Sequence, residues 1–307
     1  MAGPIERASR LLGQFGEKKV FRYGDSVAGL RLVLWGLFKK IAIADNFGML
    51  ADGLFDPTQQ VTGLGTLFGA FCFAFQIYAD FSGYSDMAIG LSKMLGFELM
   101  QNFRTPYFSA SLAEFWRRWH ISLSTWFRDY LYIPLGGSRV GQLRADLNLL
   151  ITFLLSGLWH GAKATFLIWG GLHGLALILE KRLHVRIPAW LRVPAVFAAT
   201  TLLWLPFRAS SGAQLLSMTR SLFSTEGWAR GSFDALTGNY PPLRLLVLLV
   251  MTSGFLWMER QIALNDFNRW IAGKNKAMRF GCYYLLVLLI LLLGNFNVQP
   301  YFIYFQF

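Results

Sequence analysis

A chain of 307 residues that is 54% hydrophobic and only 15% charged, with 28 phenylalanines, lies far from the soluble-domain pattern in which about a quarter of residues carry charge. Its net charge of +12 is spread through short polar segments rather than gathered into one stripe, which argues against nucleic-acid binding and for a membrane protein with basic loops. Cys72 and Cys282 both lie in apolar runs, so they suggest neither a disulfide framework nor a metal site.

Residues 1–28 are polar and basic and contain no apolar core, so they read as neither a signal peptide nor a first span. From Leu30 to Phe55 an apolar pattern is interrupted by Arg31, Lys39, Lys40, Asp45 and Asp52, which predicts an interfacial or partly buried helix. Val61 to Ala79 is long enough for a full span, and Gly65 and Gly69 would let a neighbouring helix approach closely. The span is predicted to end in the polar stretch Tyr78 to Asp86, whose carboxylates either line a water-filled cavity or cap a following helix, Met87 to Leu99. Asn102, Arg104 and Thr105-Pro106 then form a loop.

The densest polar stretch runs from Ser111 to Arg139. Ser111 and Glu114 form a capping box, so a helix should start at about Leu112. Apolar residues then recur at spacings of three and four, which predicts one amphipathic helix ending at Pro134 and Gly136-Gly137. Glu114 and Arg118 are spaced to pair on it. Exposing Glu114, Arg117, Arg118, Arg128 and Asp129 to lipid at about 2.5–3.5 kcal/mol each would cost on the order of 12–17 kcal/mol. This helix therefore faces protein, water or headgroups; it either binds an anionic phosphopantetheine or nucleotide group or simply anchors basic residues at the membrane surface.

Two further apolar runs, Leu147 to Ala162 and Ala164 to Leu179, flank Trp159-His160-Gly161. An ionisable side chain in such a place is a functional-site hypothesis, with a hydrogen-bonded packing histidine as the alternative. His173, among glycines, reads as packing and His184 as solvated. The runs Val193 to Phe207, Leu245 to Met258 and Phe280 to Phe307 complete the spans, with an amphipathic segment at Leu215 to Phe223. Dense basic loops before Val193 and Phe280 are expected in the cytoplasm, and the sparser loop from Arg208 to Arg244 outside. With no internal repeat or linker, residues 1–307 read as a single all-α domain, a polytopic transmembrane helical bundle.

The chain has no H-E-x-x-H, C-x-x-C, G-x-S-x-G or G-x-x-x-x-G-K pattern. What remains is a histidine base in an apolar setting, which suits proton removal from an alcohol as it attacks an acyl carbonyl.

The strings GPIERA (Gly3 to Ala8), DFSGYSDMAIG (Asp80 to Gly90), the whole of Asn102 to Arg139, GLWHGA (Gly157 to Ala162) and the terminal FIYFQF resemble the membrane-bound O-acyltransferase family. They are most similar to its bacterial branch that acetylates alginate, with the D-alanyl transferases of teichoic acid and the peptidoglycan O-acetyltransferases as relatives. The resemblance implies a multi-helix membrane fold with interfacial and re-entrant helices, His160 as the catalytic histidine in a channel, and His120 as a second, structural or assisting histidine. Asp80, Tyr84, Asn102, Arg104, Glu114, Arg118 and Trp159 join them as candidate substrate-cavity residues. It further implies acetyl-CoA as donor, no bound cofactor or metal, and a bacterial cytoplasmic-membrane setting. Transfer would go to an extracytoplasmic polysaccharide, directly or through a periplasmic or extracellular acetyltransferase partner. A transporter or scaffold of a polysaccharide export complex is the competing reading. In that family the GPIER segment lies well inside the chain, so this sequence is expected to be the C-terminal portion of a longer enzyme.

Overall fold

The computed structural model describes residues 3–56, 61–183, 187–225, 228, 242–265, 267–294 and 296. Among these residues all regular structure is helical. Three stretches are long and apolar enough to cross a membrane: Gly63–Met94, Ala189–Arg208 and Lys276–Leu293.

A short surface helix, α1 (Ala8–Phe15), precedes α2 (Tyr23–Leu37), which runs through a π-helical segment, Phe38–Ala44, into α3 (Asp45–Leu54). This rod lies against α4 (Gly63–Met94), a helix of 32 residues. Close approach depends on two glycine pairs: a Cβ on Gly36 would meet the Gly83 carbonyl oxygen at 2.5 Å, and one on Gly90 would meet the Gly29 carbonyl oxygen at 2.5 Å.

One sequence expectation is corrected here, and one open alternative is decided. The polar stretch from Tyr78 to Asp86 does not end a span, because α4 carries straight through it. The segment from Leu30 to Phe55 follows the partly buried alternative rather than the interfacial one, since Lys39 and Lys40 are only 3% and 4% exposed. One cause explains both. Lys39 Nζ lies 2.7 Å from Asp86 and Lys40 Nζ lies 2.7 Å from Asp80, so the α4 carboxylates are drawn into ion pairs with the adjacent rod instead of capping a helix end. Consecutive residues of a regular α-helix point about 100° apart. Both lysines lie in the π segment, and both reach the same partner helix.

The middle of the chain holds the 3₁₀ turn Pro106–Phe108, α5 (Leu112–Arg118), α6 (Ile121–Phe127) and a second π segment, Arg128–Tyr132. Next, α7 (Gln142–His160) and α8 (Ala164–Leu183) form an antiparallel hairpin. Its helices touch so closely that a Cβ on Gly157 would collide with the Phe166 carbonyl, and one on Gly170 with the Phe153 carbonyl. At the far end of the hairpin Arg182 hydrogen-bonds Asp146 and holds its carboxyl below the usual carboxylate range, with Lys181 3.5 Å away.

The chain continues through α9 (Ala189–Leu203), α10 (Leu205–Arg208) and α11 (Gly212–Phe223), the last matching the predicted amphipathic segment. It then forms α12 (Pro242–Asn265), α13 (Phe267–Ala272) and α14 (Lys276–Leu293). These final helices are stitched to the first ones. Tyr78 donates a short hydrogen bond to Glu259, Arg31 Nε donates to the Tyr283 hydroxyl at 2.7 Å, and Asn46 Nδ2 donates to the Leu293 carbonyl at 3.0 Å. His184, the terminal aromatic string and residues 226–227 and 229–241 of the Arg208 to Arg244 loop lie outside the described residues.

Candidate active site

The predicted single helix from Leu112 to Pro134 is broken at Trp119 and His120, and the break places a histidine. In an uninterrupted helix the amides of Ile121 and Ser122 would bond the carbonyls of Arg117 and Arg118. The loop at residues 102–104 intercepts these bonds instead. Ile121 N donates to the Asn102 carbonyl at 2.9 Å, Ser122 N to Asn102 Oδ1 at 3.3 Å, and Arg104 N to the Arg118 carbonyl at 3.0 Å. Between these contacts His120 adopts the left-handed conformation, φ 42° and ψ 54°. Thr105, at φ 45°, is the other non-glycine residue with positive φ among the described residues. A β-branched residue at positive φ marks real strain, and strain of this kind collects at functional sites.

Asn102 is the centre of the knot. Fully buried, it accepts from Ser122 Oγ at 2.6 Å and donates to Ser85 Oγ at 3.2 Å. Ser122 Oγ also accepts from Ile5 N at 3.0 Å. Four separate sequence strings, around Ile5, Ser85, Asn102 and Ser122, therefore meet behind one histidine. The His120 ring is buried edge-on against Phe81, 4.6 Å between centroids, with Trp159 at 6.4 Å.

His160 is the last residue of α7, and the chain turns away at Gly161, whose φ of 155° favours glycine. Its ring, 7% exposed, sits among Trp159, Trp169 and Phe207 at 5.0, 5.2 and 5.1 Å. His120 and His160 both line one cavity of about 700 Å³, whose walls are largely apolar and include Trp116, Trp119, Trp169, Trp204 and Phe207. Ser124, Thr125, Thr152 and Ser156 add hydroxyls, and Arg104, Arg117, Arg128, Glu180 and Lys181 add charge. A concave apolar space with a few convergent polar groups is the usual form of a small-molecule site.

A second cavity, of about 540 Å³, lies across α5 and is polar, with Lys39, Tyr78, Asp86 and Glu259 in its lining. Thus α5 is a partition. Trp116 and Trp119 face the apolar side, Glu114 and Arg118 the polar side, and Arg104 and Arg117 line both.

The structure sorts the sequence candidates accordingly. His160, His120 and Arg104 line the apolar cavity, while Glu114 and Arg118, paired at 2.5 Å, line the polar one. Asn102 acts from behind His120, and Asp80 is tied to Lys40; with Tyr84 and Trp159 these do not line either cavity, although Trp159 touches both histidine rings. Sequence reasoning missed Arg117, Ser122 and Glu180. Arg117 was legible as half of an Arg-Arg pair; Ser122 and Glu180 gave no local signal, because their partners are distant in sequence. His173 is indeed packed, with Trp116 Nε1 donating to its Nδ1 at 3.3 Å.

A family model described as "MBOAT, membrane-bound O-acyltransferase family" matches residues 1–204. A Pseudomonas putida protein named "Probable alginate O-acetylase AlgI" is 41% identical over 273 residues, covering 88% of this chain and 55% of the relative. A Helicobacter pylori "Peptidoglycan O-acetyltransferase" is 39% identical over 236 residues, covering 74% of this chain and 45% of the relative. A Bacillus subtilis "Teichoic acid D-alanyltransferase" is 31% identical over 187 residues, covering 57% and 47%. The chain thus spans about half the length of the curated relatives it matches.

Proposed function

Because this chain belongs to the membrane-bound O-acyltransferase family, we propose that it forms the acyl-transfer site of an enzyme that moves an acetyl group from acetyl-CoA to hydroxyls of an extracytoplasmic polysaccharide such as alginate. The observation that carries the reading is the placement of His120 and His160 on one apolar cavity. His160 takes the proton of the acceptor hydroxyl as its oxygen attacks the thioester carbonyl. The tetrahedral intermediate then collapses, the carbon–sulfur bond breaks, and the proton passes from His160 to the leaving thiolate. A positioned base of this kind contributes about 10²–10⁴-fold. Apolar walls keep water from the thioester and so favour transfer over hydrolysis. Arg104 and Arg117, on both sides of the α5 partition, suit the anionic portion of the donor.

The setting is the bacterial cytoplasmic membrane, and the acetyl group reaches the glycan directly or through a periplasmic or extracellular acetyltransferase. The test is thiol release from acetyl-CoA by the chain in lipid with a soluble hydroxyl acceptor. Release should require the acceptor and fall by about 10²–10⁴-fold in His160→Ala; full turnover in that variant would refute the assignment.

A transporter or scaffold reading draws on the buried Lys39–Asp86 and Lys40–Asp80 pairs, since paired intramembrane charges often mark ion pathways. It would require flux of a solute without thioester cleavage. The histidine-lined apolar cavity and the family membership favour chemistry.

A further inference from the structure

Each histidine is delivered by a different structural unit: His120 follows α5, and His160 ends the first arm of the α7–α8 hairpin. Something must hold these units in register. At the start of α5 the amides of Leu112 and Ala113 have no partner within their own helix. They donate to the two carboxylate oxygens of Glu180, on α8, at 2.7 and 3.0 Å. Ser111 Oγ accepts from Glu114 N at 3.0 Å, which completes the first turn. One turn further on, Trp116 Nε1 donates to His173 Nδ1, again on α8. Hence α5, only seven residues long, is fastened to the hairpin at two polar points and cannot be held by its own length.

We propose that Glu180 is a positioning residue: by fastening the start of α5 to α8 it sets the relation of His120 to His160. The inference rests on the acyl-transfer reading above for its catalytic consequence, but the fastening itself can be observed without turnover. A negative carboxylate at a helix N-terminus makes short, charge-assisted bonds, so its loss takes the partner from the amides of Leu112 and Ala113 and loosens the start of α5. A displacement near 1 Å at a reacting centre lowers rate by about 10²-fold.

The experiment combines two readouts on the chain in lipid. In Glu180→Ala, hydrogen exchange of the peptide spanning residues 111–119 should accelerate while that of α4 stays unchanged, and kcat for acceptor-dependent thiol release should fall by about 10–10²-fold with KM for acetyl-CoA within about twofold. Glu180→Gln, which keeps one acceptor oxygen for these amides, should retain an intermediate kcat. Leu112→Pro removes one of the two donors at a position where proline is tolerated, with Leu112→Ala as the side-chain control. Glu180→Ala should lower kcat less in the proline background than in the alanine background. Unchanged exchange at residues 111–119, exchange raised throughout the protein, or a loss carried by KM would overturn the proposal. If wild-type release depends on His160 while Glu180→Ala keeps full kcat, positioning fails and the acyltransferase reading survives. If His160→Ala turns over like wild type, the acyltransferase reading falls and the catalytic half of this inference falls with it.

Discussion

A left-handed histidine costs about 1–2 kcal/mol of backbone strain, so His120 keeps its conformation only because the surrounding hydrogen bonds dictate it. The strain and the ring can be separated experimentally. His120→Gly and His120→Ala lose the same imidazole, yet the glycine variant should be the more stable of the two by about 1 kcal/mol, read as a higher midpoint of thermal unfolding in detergent. Equal midpoints would mean that the backbone relaxes once the ring is gone. Asn102 bears the complementary role. Asn102→Ala leaves Ser122 N and Ser85 Oγ without their buried partner and should destabilise by about 1–3 kcal/mol. His160 was legible as an ionisable side chain between apolar runs, and His120 through the family resemblance of its string. The clamp was not, because an asparagine in a loop gives the same local signal whether it faces solvent or the core.

At the scale of elements, the hairpin that carries His160 is set by its glycines. Gly157→Ala forces a methyl group into the Phe166 backbone and should destabilise by about 1–3 kcal/mol while shifting the end of α7, so transfer should fall together with the unfolding midpoint. The open end of the hairpin responds to acid. Because Arg182 lowers the folded-state pKa of Asp146, the stability this carboxylate contributes is fully present above its unfolded value of about 3.9 and is lost as pH falls through the folded value. The stability difference between wild type and Asp146→Asn should therefore be flat from about pH 7 to 5 and shrink below about pH 4. Apolar periodicity located the helices well. It failed at two junctions: α4 runs on where a polar stretch predicted an end, and the helix after Leu112 breaks where periodicity predicted continuity. In both, a partner distant in sequence decides the outcome, lysines in one and the Asn102 loop in the other.

Across the whole molecule, the family match ends at residue 204, yet later helices complete earlier ones through Glu259, Tyr283 and the Leu293 carbonyl. Removing residues 242–307 should strip partners from Tyr78, Arg31 and Asn46 and yield a protein that aggregates on size-exclusion chromatography; a monodisperse product would show that the first helices fold alone. The knot behind His120 has a consequence for inheritance and for engineering. Ile5, Ser85, Asn102 and Ser122 belong to four segments spread over more than a hundred positions, yet they make one hydrogen-bonded object. Such a site cannot be exchanged between homologues a segment at a time. A chimera that swaps only the stretch bearing the histidines would carry the chemistry into a mismatched cradle, whereas one that transplants all four segments together would bring the cradle with it.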